Sequence, residues 1–167
     1  MKILVVLVLA ALLVLTSCDT QAPDFTAQQL TVQELNSSPG YAWFPTEVNI
    51  YTPSAPMVDA VRTTFDPTTQ KIALFVKPGC SCRGTTKLFP QIMKTLMDAG
   101  VDMTKVEVWS MRSITDKHPY QPTIAITDLP AVYVFRNNTV SAEVHDVNYS
   151  DTNADTLIAN AIARTLP

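Results

Sequence analysis

Cys80 and Cys82 stand one residue apart in the stretch KPGCSCRGTTKLFP, Lys77 to Pro90. In extended backbone, side chains two residues apart point to the same side, so the two sulfurs can meet. Their Cα atoms would then be ~6–7 Å apart, near the upper limit for a disulfide. A ring closed over one residue is therefore feasible but strained, and strain raises the reduction potential. A helix starting just after the pair would favour a thiolate through its dipole and free N–H groups, and Arg83 adds a cation. Pro78 and Gly79 keep bulk away from Cys80, leaving room for a partner chain.

Three chemistries are open to such a pair. In thiol–disulfide exchange, Cys80 forms a mixed disulfide that Cys82 resolves. In metal binding, the two thiolates hold Cu(I) or Zn(II), with His118, His145 or Met111 as a further ligand. The pair supplies only two ligands, and neither histidine shows ligand spacing to it. In the third, the disulfide only pins the loop, and another surface of a non-catalytic module binds a partner.

The remaining cysteine, Cys18, closes the opening segment MKILVVLVLAALLVLTSC. Lys2 gives it a positive start, and Ile3 to Leu15 are thirteen consecutive apolar residues. That run is shorter than the ~20 residues a helix needs to span a bilayer, and small residues follow it, so residues 1–17 read as a signal peptide. Leu15-Thr16-Ser17-Cys18 resembles the lipobox of bacterial lipoproteins. That resemblance implies a lipidated Cys18 as the new N-terminus, anchoring the chain to the cell membrane and facing the periplasm or the cell exterior. Disulfides persist there. With Cys18 lipidated, only Cys80 and Cys82 remain as thiols.

The composition narrows the class. Of 167 residues, 47% are hydrophobic and 16% charged, which is globular. A net charge of −3 excludes nucleic acid as an expected partner, because phosphate binding needs a basic face. With four glycines there is no phosphate-binding loop, and neither a His-Glu-x-x-His helix nor a Gly-x-Ser-x-Gly elbow is present. No cofactor is expected beyond a Cys80–Cys82 redox disulfide.

The elements that must position the pair follow from periodicity. Residues 18–45 read as a lipidated N-terminus, tether and aromatic lead-in, with Tyr41, Trp43 and Phe44 capping a core. Thr46 to Tyr51 alternates as a short first strand. Ser54 and Pro56 open a helix with Met57, Val58, Val61 and Phe65 on one face. Ile72 to Val76 is a continuous apolar run, as a strand buried on both faces would be. Leu88, Phe89, Ile92, Met93, Leu96 and Met97 form a helical stripe, kinked by Pro90. Val106 to Met111 is a further strand, and residues 112–127 read as loop with room for a short helix. Asn137-Asn138 joins two strands as a hairpin, and a last helix carries Leu157, Ile158, Ala161, Ile162 and Leu166.

This order, with cysteines at the junction of the central strand and the next helix, resembles the thioredoxin-like superfamily over about Thr46 to Leu166. The closest match is DLPAVYVFRNNTV, Asp128 to Val140, where a proline opens a strand that turns back into a second. The resemblance implies an α/β, thioredoxin-like fold for residues 46–167, with a mixed central sheet and helices on both faces. It also implies a cis Leu129-Pro130 bond lying against Cys80 and holding an extended substrate segment. The partner would then be a protein thiol or disulfide, with Cys80 and Cys82 catalytic. The departures are Cys-x-Cys in place of Cys-x-x-Cys, Gly79 in place of a tryptophan, and Leu74 in place of a buried acid.

Overall fold

The computed structural model describes residues 25–165. Residues 1–17, read as a signal peptide, together with Cys18, the first part of the tether (residues 19–24) and Leu166 of the last-helix reading, lie outside the described residues.

The sheet is built around β2 (Gln70–Val76), in which Ile72 to Val76 have no exposed surface at all. A strand with five successive apolar residues needs cover on both faces, and it takes the centre of the sheet. The strand order is β1-β3-β2-β4-β5, with β1 at Gln28–Leu30, β3 at Val106–Ser110, β4 at Ala131–Arg136 and β5 at Thr139–His145. β2 and β3 are parallel, which requires a crossover; the other pairs are antiparallel. The β4–β5 turn has Asn137 and Asn138 at φ 51° and 64°, left-handed as the hairpin reading requires. The expected α/β fold with a mixed central sheet is the one the chain adopts.

Among the described residues five α-helices accompany it: α1 (Val32–Ser37), α2 (Phe44–Ile50), α3 (Ala55–Thr64), α4 (Phe89–Asp98) and α5 (Ala154–Ala163). All five contribute buried residues to one cluster, on the sheet face of Ile72, Leu74 and Val76. The other face, with Phe75, Tyr133 and Phe135, is closed instead by residues 111–129, through Met111, Ile124, Ile126 and Tyr120. That covering runs in turns, with Thr123 and Ile124 N–H groups both donating to the Tyr120 carbonyl. The two layers are therefore unequal, helical on one side and irregular on the other.

Two element readings change. Thr46 to Tyr51 is not a strand but most of α2, where Pro45 stands in the first turn and Glu47 complements the helix N-terminus. The outermost strand is β1, inside the stretch read as tether, with Leu30 opposite Val108. The folded unit thus reaches back to at least Thr26, which bridges to Lys117. No helix among the described residues is long and apolar enough to cross a membrane.

Candidate functional site

Strand directions gather the site at one end of the sheet. β2 runs out at Val76 and leads into the cysteine turn. Phe75 pairs with Ala131 at the start of antiparallel β4, and Ala131 pairs with His145 at the end of β5. The residues just beyond those ends, Pro78 to Gly84, Asp128 to Pro130 and Asp146, therefore meet in space although they are far apart in sequence.

The turn begins with Gly79 at φ 65°, a conformation that favours glycine, and its N–H donates to the Gly40 carbonyl at 2.8 Å. Cys80 and Cys82 form a disulfide with Cα atoms 5.4 Å apart, closer than a fully extended segment would bring them. Both cysteines are half-buried, and Ser81 between them is exposed. The Cys82 N–H points back at Cys80 Sγ, 3.1 Å away.

A helix starts at once. Residues Gly84–Leu88 wind as a π-helical turn that runs into α4, the Phe89 N–H reaching the Gly84 carbonyl. Pro90, which has no N–H to donate, stands at the first turn of α4, so the widened turn precedes it. The Thr86 N–H and hydroxyl both bond the Cys82 carbonyl, at 3.0 and 3.1 Å.

Arg83, expected as a cation for the thiolate, is already engaged. Its guanidinium donates to Asp151 at 3.1 Å and to the Tyr149 carbonyl at 2.9 Å, and lies over the Tyr149 ring. Tyr149 in turn donates to Gln91, and Gln91 to the buried carboxylate of Glu47, which also holds Lys87 at 2.6 Å. This chain of contacts fixes the cysteine helix against α2 and the segment before α5. Of its members only Arg83 was singled out in the sequence, and for a different role.

Leu129-Pro130 is cis, and Pro130 is buried. Its ring packs on Gly84: a Cβ placed there would lie 2.7 Å from Pro130 Cδ. The proline thus stands against the first turn of the cysteine helix. Its neighbour Asp128 is latched to β5 by His145, whose Nδ1 is 2.6 Å from the Asp128 carboxylate and whose Nε2 is 3.0 Å from Glu143. Burial alone would lower the His145 pKa, but the two carboxylates together raise it.

The sign of the pH effect follows. A folded-state pKa above the ordinary 6.5 stabilises the fold fully below about pH 6.5, and that stability is lost as pH rises through the folded value. Because both carboxylates are about half exposed, the contribution is modest, about 0.5–1 kcal/mol. Urea melts at pH 6 and pH 8.5 should show this increment in the parent chain and lose it in His145→Gln. An equal pH response of the two proteins would remove the latch.

The other candidate ligands do not join the cysteines. His118 is buried, edge-on to Phe75 at 5.1 Å, with Nδ1 unpartnered and its pKa lowered by burial. Met111 is buried in the same far-face cluster. His145 is committed to Asp128 and Glu143. Among the described residues no group of three or more His, Cys, Asp or Glu is placed to hold a metal ion. A pocket of about 320 Å³ opens beside Pro78, lined by Gly40, Tyr41, Ser110 and Arg112 among others. No family model matches the chain, and no curated protein matches it either.

Proposed function

We propose that the protein is a membrane-anchored, extracytoplasmic member of the thioredoxin-like superfamily, exchanging disulfides with protein thiols through Cys80 and Cys82. The reading rests on one observation: a half-exposed disulfide between residues two apart, at the sheet end where Pro130 stands. As a staple such a bond does little. A disulfide stabilises mainly by restricting the unfolded chain, and the restriction shrinks with the loop it closes; here the loop holds one residue. A cross-link that adds little to stability, yet leaves its sulfurs within reach of solvent, suits a bond that is made and broken in use.

The surroundings support the same chemistry. The helix that follows Cys82 turns its positive end toward the pair, which favours a thiolate as attacking or leaving group. The pocket beside Pro78, two residues before Cys80, offers room for a substrate segment next to the turn. Metal binding is less well supported, because His118 and Met111 are buried with the Phe75 face and His145 is held by Asp128 and Glu143. The Leu15-Thr16-Ser17-Cys18 sequence supports lipidation of Cys18, and hence anchoring on the oxidising side of a membrane.

Equilibration of the purified protein against glutathione and dithiothreitol buffers, with thiols counted by alkylation, tests this. A single two-electron transition above about −250 mV is expected, since disulfides kept for structure lie below about −300 mV. Thiols that never pair, or a bond that resists both buffers, would end the proposal.

A further inference from the structure

We propose that the pocket beside the cysteine turn selects acidic clients: Arg112 in its wall takes a carboxylate side chain that the client carries two or three residues from its reacting cysteine. The assignment rests on the exchange chemistry proposed above and adds a substrate class to it.

One wall of the pocket, Gly40 and Tyr41, lies directly on the turn. A Cβ on Gly40 would stand 3.0 Å from Pro78 Cβ, and the Gly40 carbonyl accepts the Gly79 N–H. Cys80 is two residues beyond Pro78, so their Cα atoms are at most ~7 Å apart. An extended client chain advances ~3.3–3.6 Å per residue. A client sulfur placed at Cys80 therefore puts a residue two or three positions away within reach of the pocket.

The facing wall carries the charge. Arg112 is exposed, and its guanidinium lies over the Phe25 ring at 4.2 Å. Among the described residues that guanidinium has no ion-pair or hydrogen-bond partner. Both halves of the stack are tied at the backbone. The Arg112 N–H donates to the buried carboxylate of Asp116 at 2.7 Å, and the Phe25 carbonyl accepts the Lys117 N–H at 2.8 Å. The cation is thus placed before a client arrives, which lowers the ordering cost of binding.

The sign of the client follows from the neighbours. Glu34 and Asp116 also line the pocket, but each already accepts hydrogen bonds. Glu34 Oε2 takes the Thr31 N–H and hydroxyl at 2.7 and 2.9 Å, and Asp116, 5% exposed, takes the Arg112 N–H. Tyr41 donates its hydroxyl proton to Ser110 Oγ at 2.7 Å, which leaves the Ser110 hydroxyl free to donate in turn. The pocket so presents two donors, Arg112 and Ser110, and a guanidinium is built to pair with a carboxylate through two parallel bonds. The chain as a whole has a net charge of −3, so the attraction is local and acts at contact.

Three peptides test the site, each with one cysteine held as a mixed disulfide with thionitrobenzoate. They differ only at the residue two before the cysteine, which is glutamate, glutamine or lysine; a second set varies the residue two after it. The Cys80 thiolate of the reduced full-length chain attacks the peptide sulfur. A Cys80–peptide bond forms, the bond to thionitrobenzoate breaks, and that group leaves as a thiolate with the electron pair, read by absorbance. Release by Cys80→Ser is subtracted. Each rate is then divided by the same peptide's rate with 2-mercaptoethanol, which removes the effect of charge on the disulfide itself.

In at least one set the glutamate peptide should react about three- to fivefold faster than the glutamine peptide, and the lysine peptide slower by a similar factor. Arg112→Gln should bring the three rates together. Arg112→Lys should keep the order with a smaller spread, because the charge remains and the paired geometry is lost. Salt at about 1 M should narrow the spread of the parent chain. Equal rates in both sets, lysine fastest, or a spread that survives in Arg112→Gln would overturn the site. Circular dichroism melts check folding, and Arg112→Lys carries the comparison if the glutamine variant does not fold. A parent chain that releases no more than Cys80→Ser overturns the exchange reading and this site with it. A reactive parent without the charge order overturns only the site.

Discussion

Cys80→Ser is expected to lower thiol–disulfide exchange by on the order of 10³-fold or more, because removing one member of a group that acts as a unit abolishes its chemistry. Cys82→Ser should lose turnover to a similar extent but by a different route. With Cys80 still present, attack proceeds and stops at the mixed disulfide, since the sulfur that would resolve it is gone. Non-reducing electrophoresis of cells producing each variant distinguishes the two: Cys82→Ser should carry covalent partners that dithiothreitol releases, and Cys80→Ser should carry none. The asymmetry matters more than the loss. If both variants trapped partners equally, the cysteines would be interchangeable, and the fixed turn at Gly79 and the helix at Arg83 would have no bearing on which sulfur attacks. If neither trapped any, and the double variant kept its biological activity, the disulfide would be incidental.

The second large effect is on the fold. Gly84→Ala places a methyl group 2.7 Å from both Asp146 Cγ and Pro130 Cδ, closer than carbon atoms approach without displacement. Gly84 lies within helical backbone, where alanine is otherwise better than glycine by about 1 kcal/mol. Overpacking of a closed site costs about 1–3 kcal/mol. The proline ring cannot swing aside and the aspartate is short, so the clash should win, with a net loss of up to about 2 kcal/mol and a fall in Tm of up to roughly 8 °C. Thermal melts by circular dichroism read this directly. An unchanged or raised Tm would mean that Pro130 and Asp146 do not pack on the cysteine helix, and the candidate site would lose two of its members.

How much of this could be read from the sequence depended on range. Ile72 to Val76 and the Asn137-Asn138 turn were legible because they carry local signals, an unbroken apolar run and two residues that tolerate positive φ. The cysteine pair and Leu129-Pro130 were legible as chemistry and as motif. Thr46 to Tyr51 was misread because its six residues alternate as a strand does, while Pro45 and Glu47, at the first turn of a helix, argued the other way. β1 has three residues, too few for any pattern, and only its pairing with β3 makes it a strand. The far-face covering was read as loop with room for a short helix; it forms turns only, and Tyr120, Ile124 and Ile126 show no period that would betray their burial. Asp146 was invisible for a different reason. Its significance comes from a side chain that Gly84 does not have, sixty-two positions earlier, and only the assembled sheet brings the two together.

The short span of the disulfide has one more consequence. Most structural bonds of this kind record the fold, because they join residues that only the native state makes neighbours. Cys80 and Cys82 are neighbours in any conformation of the chain. On the exchange chemistry proposed above, their two-electron store is carried by a three-residue cartridge, Cys80-Ser81-Cys82, that can be charged before the sheet assembles and stays charged if β4 and β5 peel away. Pro130 and Asp146 belong to the assembled state alone. Oxidising capacity and discrimination are thus held at different levels of organisation: the first is written into local covalent structure, and the second exists only while the far ends of the chain are held together.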